Sequence, residues 1–169
     1  MAKNKKSKNQ SNSDCSCCTN AESFGFRATS ASTHYGALVL SCIDPRFQKP
    51  VYRYLKERGL SGNYSQMSIA GAGIAAVAPR FEAWHAAVWG NIAISLSLHR
   101  FPKVILIQHQ DCGAAAEAYG PLCGDNDHGA LTLYRHVAEA FRRQLSDRHP
   151  QLQLDAVFMD LSGKTRALV

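Results

Sequence analysis

The chain has 169 residues, 46% of them hydrophobic, which suits one globular domain with a sizeable core and excludes a fibrous or wholly disordered chain. Its net charge of +6 invites a nucleic-acid reading, but Lys3, Lys5, Lys6 and Lys8 supply four of those charges from one polar tail without aromatic interleaving, so no nucleic-acid partner is expected. No apolar stretch reaches the ~18 residues of a membrane helix, and no apolar run of signal-peptide type follows the N-terminal lysines; the expected location is the cytoplasm, with no membrane partner and with cysteines as thiols or metal ligands.

Residues 1–32 are dominated by Lys, Asn, Ser and Thr, with little to bury before Phe24 and Phe26, and read as a disordered or loosely docked arm. Cys15, Cys17 and Cys18 stand in this arm without Cys-x-x-Cys spacing or a folded frame, and read as an oxidisable tail. The folded domain, residues 33–169, opens with the apolar run from Ala37, a strand that ends on Cys42. Ile43, Asp44, Pro45 and Arg46 follow in a strand-to-helix turn, and the spacing of Val51, Tyr52, Tyr54 and Leu55 predicts a helix ending at Gly59. Alternation sends Cys42 and Asp44 to the same side, while Pro45 fixes the backbone between Asp44 and Arg46.

Gln66–Ala70 reads as the next strand, after which Gly71, Ala72 and Gly73 turn the chain sharply. With Ala76 these glycines match a loose dinucleotide fingerprint, but Pro79 breaks the helix that should open there and no acidic residue stands about twenty positions on, so no nucleotide site is expected. From Arg80 to His99 apolar residues recur at three- and four-residue intervals, which predicts a long, largely buried helix. His85 reads as a packed or interface histidine on it, and His99 suits the negative end of the helix dipole.

The stretch Val104–Gly113, VILIQHQDCG, is a buried strand that ends in two metal-binding residue types, His109 and Cys112. In an open α/β sheet, ligands collect at the carboxyl ends of strands. A short helical piece follows, then a polar loop in which Cys123 and His128 are the rival ligands; Asp127 reads there as a helix cap and His128 as a surface residue. A helix from Ala130 to about Leu145 sets Leu133, Val137, Ala140 and Phe141 on one face and Arg142, Arg143 and Arg148 toward solvent. The last strand is Leu154–Met159, with a turn at Ser162 and Gly163. The sum is an α/β domain whose mainly parallel sheet of about four strands is flanked by helices.

Cys42, His109 and Cys112 together offer two thiolates and one imidazole from two strand ends. Zinc takes such ligands tetrahedrally, and a catalytic site leaves the fourth position to water. Asp44 is the candidate fourth ligand of a closed state. Arg46 beside it can hold that carboxylate bidentately and keep it off the metal.

Cys42-x-Asp44-x-Arg46 after one strand, then His109-x-x-Cys112-Gly113 after a later one, resembles the β-class carbonic anhydrase family. The likeness runs from about Ala37 to the end of the chain and includes VFMDLSGKTRAL, similar to the family's last strand and Gly turn. It implies a zinc lyase that interconverts carbon dioxide and bicarbonate through zinc-bound hydroxide. Cys42, His109 and Cys112 would be the Zn2+ ligands, and Asp44 with Arg46 the catalytic dyad. It also implies a homodimer or homotetramer with the metal cleft near the subunit interface, and an aspartate able to swing onto zinc and shut the site at lower pH. Zinc lowers the pKa of bound water toward about 7; two thiolates neutralise the metal and make that water less acidic than on a three-histidine zinc. Asp44 would accept the water's hydrogen bond and orient its lone pair.

Two positions depart from the family's pattern. Gln108 stands where Gly commonly precedes the ligand histidine, and is expected to crowd or re-polarise the metal's surroundings and alter the substrate. Ser68–Gly73, SIAGAG, replaces the usual Arg-Asn-Ala-Gly-Asn and removes a structural arginine and asparagine. The arm also lacks an amphipathic helix of the kind that embraces a partner subunit. Two rival readings stand beside the first: a carbonyl sulfide or carbon disulfide hydrolase on the same scaffold, and a zinc-bound regulatory protein without turnover.

Overall fold

The computed structural model describes residues 34–121 and 127–169. The expected arm, its three cysteines and Cys123 lie outside the described residues. In order come β1 (Ala37–Ser41), α1 (Gln48–Glu57), β2 (Tyr64–Ser68), α2 (Ile74–Val77), α3 (Glu82–His99), β3 (Lys103–His109), α4 (Gly113–Tyr119), α5 (Asp127–Arg148), β4 (Gln153–Met159) and β5 (Thr165–Ala167). Short 3-10 turns at Pro45–Phe47 and Pro79–Phe81 lead into α1 and α3.

The five strands form one sheet in the order β2-β1-β3-β4-β5, parallel throughout except that β5 pairs antiparallel with β4. The mainly parallel α/β sheet is therefore as expected, with one strand beyond the four. β5 left no sequence signal because Thr165, Arg166 and Ala167 are all exposed. The turn before it is made by Asp160, whose Oδ1 accepts from the N–H groups of Ser162 (2.9 Å) and Lys164 (3.0 Å).

Side chains of β1 and β3 alternate between two apolar layers. Leu38, Leu40, Val104 and Leu106 face α2, α3 and α5, while Ala37, Val39, Ile105 and Ile107 face Phe47, Val51 and Leu55. Burial on both faces explains why these strands read as continuous apolar runs. α1 ends where expected, at Gly59 with φ +71°. β2 lies two residues earlier than Gln66–Ala70: the chain leaves the sheet after Ser68, and Gly71 and Ala72 take φ of +78° and +50°. Ile69 is apolar because it packs on the core beneath this turn, not because it continues the strand. α2 is one short turn that stops before Pro79, the residue expected to break the helix.

α5 buries Leu131, Tyr134, Val137, Ala138, Phe141 and Leu145, so the expected stripe is rotated, with Leu133 and Ala140 only half-buried at its edges. Phe141 stacks on Trp89 of α3 at 4.9 Å, and Arg148 covers the same indole at 4.6 Å.

α3 corrects one expectation. It is long, but only Val88, Trp89 and Ile92 are buried; Ile94 is 62% and Leu98 59% exposed. Apolar residues surround this helix on all sides, whereas the sheet and α5 cover only one side of it. Hydropathy alone therefore read it as interior. Among the described residues no helix is long and apolar enough to cross a membrane.

Phe141→Ala removes a fully buried ring from the α3–α5 contact and is expected to cost about 3–5 kcal/mol of unfolding free energy, measured by urea denaturation at constant m-value.

Candidate metal centre

Parallel pairing sets Ser41 of β1 opposite Ile107 of β3, so Cys42 leaves the sheet beside the end of β3. His109 is the last residue of that strand, and Cys112 follows a turn in which Asp111 takes φ +57°. The Sγ atoms of Cys42 and Cys112 and a ring nitrogen of His109 all lie within 4.8 Å of one another. The three residues that the sequence picked out are thus brought together by two strand ends and one turn. Asp44 is not in this cluster.

The tautomer of His109 is set by its backbone. Nδ1–H donates to the carbonyl of Gln110 at 2.8 Å, which leaves Nε2 with a lone pair. Nε2 is buried and has no hydrogen-bond partner among the described residues. The ring is wedged against Phe47 with centroids 4.2 Å apart. A buried acceptor without a donor is costly unless something else satisfies it, and two sulfurs stand beside it. Two thiols, one imidazole with its lone pair free and a spacing of this size fit Zn2+.

The Cys112 thiol beside Cys42 holds the Cys42 sulfur well below the usual thiol range; burial opposes this, and the N–H groups of Gly71 and Asp44 add to it. The same contact, followed by burial and the negative charge on Cys42, pushes Cys112 far up, against the pull of the Ala115 and Ala114 N–H groups at the start of α4. Two sulfurs this close favour sharing one proton over both being charged. A divalent cation would take both as thiolates and release that proton. Gly71 N–H donates to Cys42 Sγ at 3.3 Å, tying the glycine turn to the site.

Asp44 caps the 3-10 turn, accepting from Arg46 N–H at 3.0 Å. Arg46 also grips the carboxylate with its side chain, Nε to Oδ1 at 3.0 Å and Nη2 to Oδ2 at 2.6 Å. Its far edge crosses to the other ligand loop, reaching Asp111 Oδ2 at 2.7 Å and the Asp111 carbonyl at 3.0 Å. Arg46 therefore bolts the turn after β1 to the turn after β3. Sequence reasoning missed Asp111, although its place between His109 and Cys112, and the tolerance of Asp for left-handed backbone, were the available signals. It also missed Tyr134, fully buried, whose hydroxyl lacks a partner among the described residues. Burial pushes the pKa of the Tyr134 phenol up, and the negative sulfurs of Cys112 and Cys42 push it further.

Of two further expectations, that for His85 holds and that for Gln108 does not. His85 is a packed histidine, with Nε2 3.0 Å from the Ala78 carbonyl. Gln108 does not border the cleft beside Cys42, a space of about 420 Å³ lined by Ser41, Phe47, Gln48, Tyr52, Gln66 and Ser68 among others. It is wholly buried and turns instead toward the glycine turn, because its position in β3 places it on the same face as Leu106.

The Arg46 guanidinium, opposed weakly by burial, holds the Asp44 carboxyl down to about 2 from its ordinary 3.8. Arg46→Met is expected to return it toward the ordinary value, read by NMR titration of the Asp44 carboxyl. Since the folded value lies below the unfolded one, this ion pair stabilises the fold above about pH 4, and the contribution is lost as pH falls toward 2. The stability gap between parent and variant should close over that window.

A family model described as "putative carbonic anhydrase" matches residues 32–128. Two proteins described only as uncharacterized, from Rickettsia conorii and Rickettsia bellii, are each 24% identical over 126 residues, spanning 75% of this chain and 68% and 77% of theirs. Among solved structures, a carbonic anhydrase from Streptococcus mutans superposes with a TM-score of 0.54 at 16% identity, covering 82% of this chain and 84% of that one. A β-carbonic anhydrase from Trichomonas vaginalis gives 0.55 at 11% identity, covering 82% and 85%. At these identities the structures show a shared fold. With more than half of its length matched by the family model, this chain belongs to the carbonic anhydrase-like family that the model describes.

Proposed function

We propose that this protein is a zinc-dependent carbonic anhydrase that interconverts carbon dioxide and bicarbonate, with Cys42, His109 and Cys112 as the metal ligands and Asp44 with Arg46 as the catalytic dyad. The observation that carries the reading is the convergence of two sulfurs on a buried His109 nitrogen that has no other partner among the described residues, beside a cleft that Cys42 lines. Zinc held there would supply a water acidified toward neutrality, the nucleophile that hydration of carbon dioxide needs.

The remaining work falls to the chain's own side chains. Asp44, held down to about 2 by Arg46, is an anion at any working pH. It offers a carboxylate oxygen to hold the proton of the attacking water and aim its lone pair at carbon. Arg46 keeps that carboxylate in place by gripping both its oxygens, an arrangement that supports the open form of the site, in which Asp44 is not a fourth ligand. Closing the site would require Arg46 to release them. The cleft admits a small uncharged substrate between the end of β1 and β2.

The exposed apolar face of α3 supports a homo-oligomer. From Ala83 to Leu98 the helix carries no Asp, Glu, Lys or Arg, so a copy of itself meets no like charge, and among the described residues β2 beside it is an edge strand of the sheet. Exposed apolar surface of this length marks an interface.

Metal content, carbon dioxide hydration and carbonyl sulfide hydrolysis measured on one purified sample test the function. One zinc per chain with carbon dioxide turnover that rises through the alkaline range is expected. Turnover of carbonyl sulfide alone would move the substrate to the sulfur analogue, and zinc without either activity would favour a regulatory protein. Asp44→Asn should keep its zinc and lose turnover by about 10²-fold or more; parent-like hydration would remove Asp44 from the dyad.

For the assembly, Ile94→Asp with Leu98→Asp is expected to give monomers in light scattering where the parent gives dimers or tetramers. A monomeric parent would overturn it.

A further inference from the structure

Gln108 is a fully buried polar side chain in the strand that delivers His109, and nothing in the reaction just described uses it. With its amide oriented to satisfy both neighbours, it donates to the Gly71 carbonyl at 3.1 Å and accepts from the Gly73 N–H at 3.2 Å. It therefore spans the turn Gly71-Ala72-Gly73 from one side to the other. That turn carries two successive left-handed residues, of which Ala72 at φ +50° is a conformation that L side chains rarely hold without support. Gly71 N–H in turn donates to Cys42 Sγ at 3.3 Å.

Space around the turn is matched to this clamp. A Cβ on Gly73 would lie 2.8 Å from the end of the Gln108 side chain and 2.9 Å from Leu106. A Cβ on Gly71 would lie 2.9 Å from Ala114 and 3.1 Å from Ile74. Glycine at position 73 leaves room for the carboxamide at position 108, which a Cβ there would press upon. The two departures from the family's pattern, Gln108 and the glycine-rich segment, are therefore one structural unit.

We infer that Gln108 is a positioning residue for the metal centre: its buried carboxamide fixes the Gly71–Gly73 turn so that the Gly71 amide points its hydrogen at the Cys42 sulfur. The inference rests on Cys42 being a metal ligand. A hydrogen bond to a coordinating sulfur withdraws charge from it and orients it, and such outer partners set both affinity and the electronic character of the metal. Gln108 touches neither metal nor substrate in this scheme and acts through Gly71 alone.

Cobalt(II) substituted into the full-length protein tests it, because the thiolate-to-cobalt absorption band reports on the Cys sulfurs themselves. The parent is expected to show the band. Gln108→Leu, which keeps most of the volume and deletes both hydrogen bonds, should shift the band and weaken metal binding about 10- to 100-fold in chelator competition. Gly73→Ala, which presses on the clamp from the other side and leaves Gln108 in place, should do the same. Either variant that folds with the parent's band and affinity overturns the inference, and a parent without any thiolate band overturns the metal reading and this inference together. Should neither variant fold, the cadmium-substituted parent decides: a through-bond NMR correlation between cadmium and the Gly71 amide proton is expected, and its absence rejects the link.

Discussion

Parallel pairing of β1 with β3 sets Ser41 level with Ile107, and the rest of the site depends on that register. Cys42 emerges beside the end of β3 because Ser41 is level with Ile107, two residues before His109, and both strands point the same way. A slip of one residue would send every side chain of a strand to the opposite face and part the two ligands. The register is held by apolar side chains on both faces, Leu38, Leu40 and Leu106 on one and Val39, Ile105 and Ile107 on the other. Core packing and ligand placement are thus the same constraint viewed from two ends of the strand.

Beyond the sheet, two polar devices fix what the strands leave loose. Arg46 links the turn after β1 to the turn after β3 by holding Asp44 and Asp111 at once. These groups are partly exposed, so the pairs add little to stability; their effect is geometric, since one planar guanidinium orients two loops. Gln108 works from within. Its buried amide ties the glycine turn beneath the site, and that turn reaches Cys42 through a single N–H.

The cluster of Cys42, His109 and Cys112 was legible because its signals are local. An apolar run followed by a Cys or His marks a strand end, and strand ends in a parallel sheet converge. What stayed hidden was decided at a distance. Ile94 and Leu98 of α3 look interior by hydropathy, but whether a neighbour covers them depends on the width of the sheet and the position of α5. β5 carries no pattern because its three residues face solvent. Gln108 reads as a metal neighbour by adjacency to His109, yet adjacent strand residues face opposite sides, and it belongs to the layer of Leu106.

By itself, then, the sequence determined an α/β chain with a largely parallel sheet and the convergence of Cys42, His109 and Cys112, because periodicity and spacing encode strand ends and the chemistry placed on them. The tertiary structure alone decided which groups support that cluster. The Gly71 amide on Cys42 and the grip of Arg46 on Asp111 join groups distant in sequence, which residue type and spacing do not encode. His109 shows both levels. Its identity names it a ligand, but only the fold shows its Nδ1 engaged by Gln110 and its Nε2 left free beside the two sulfurs.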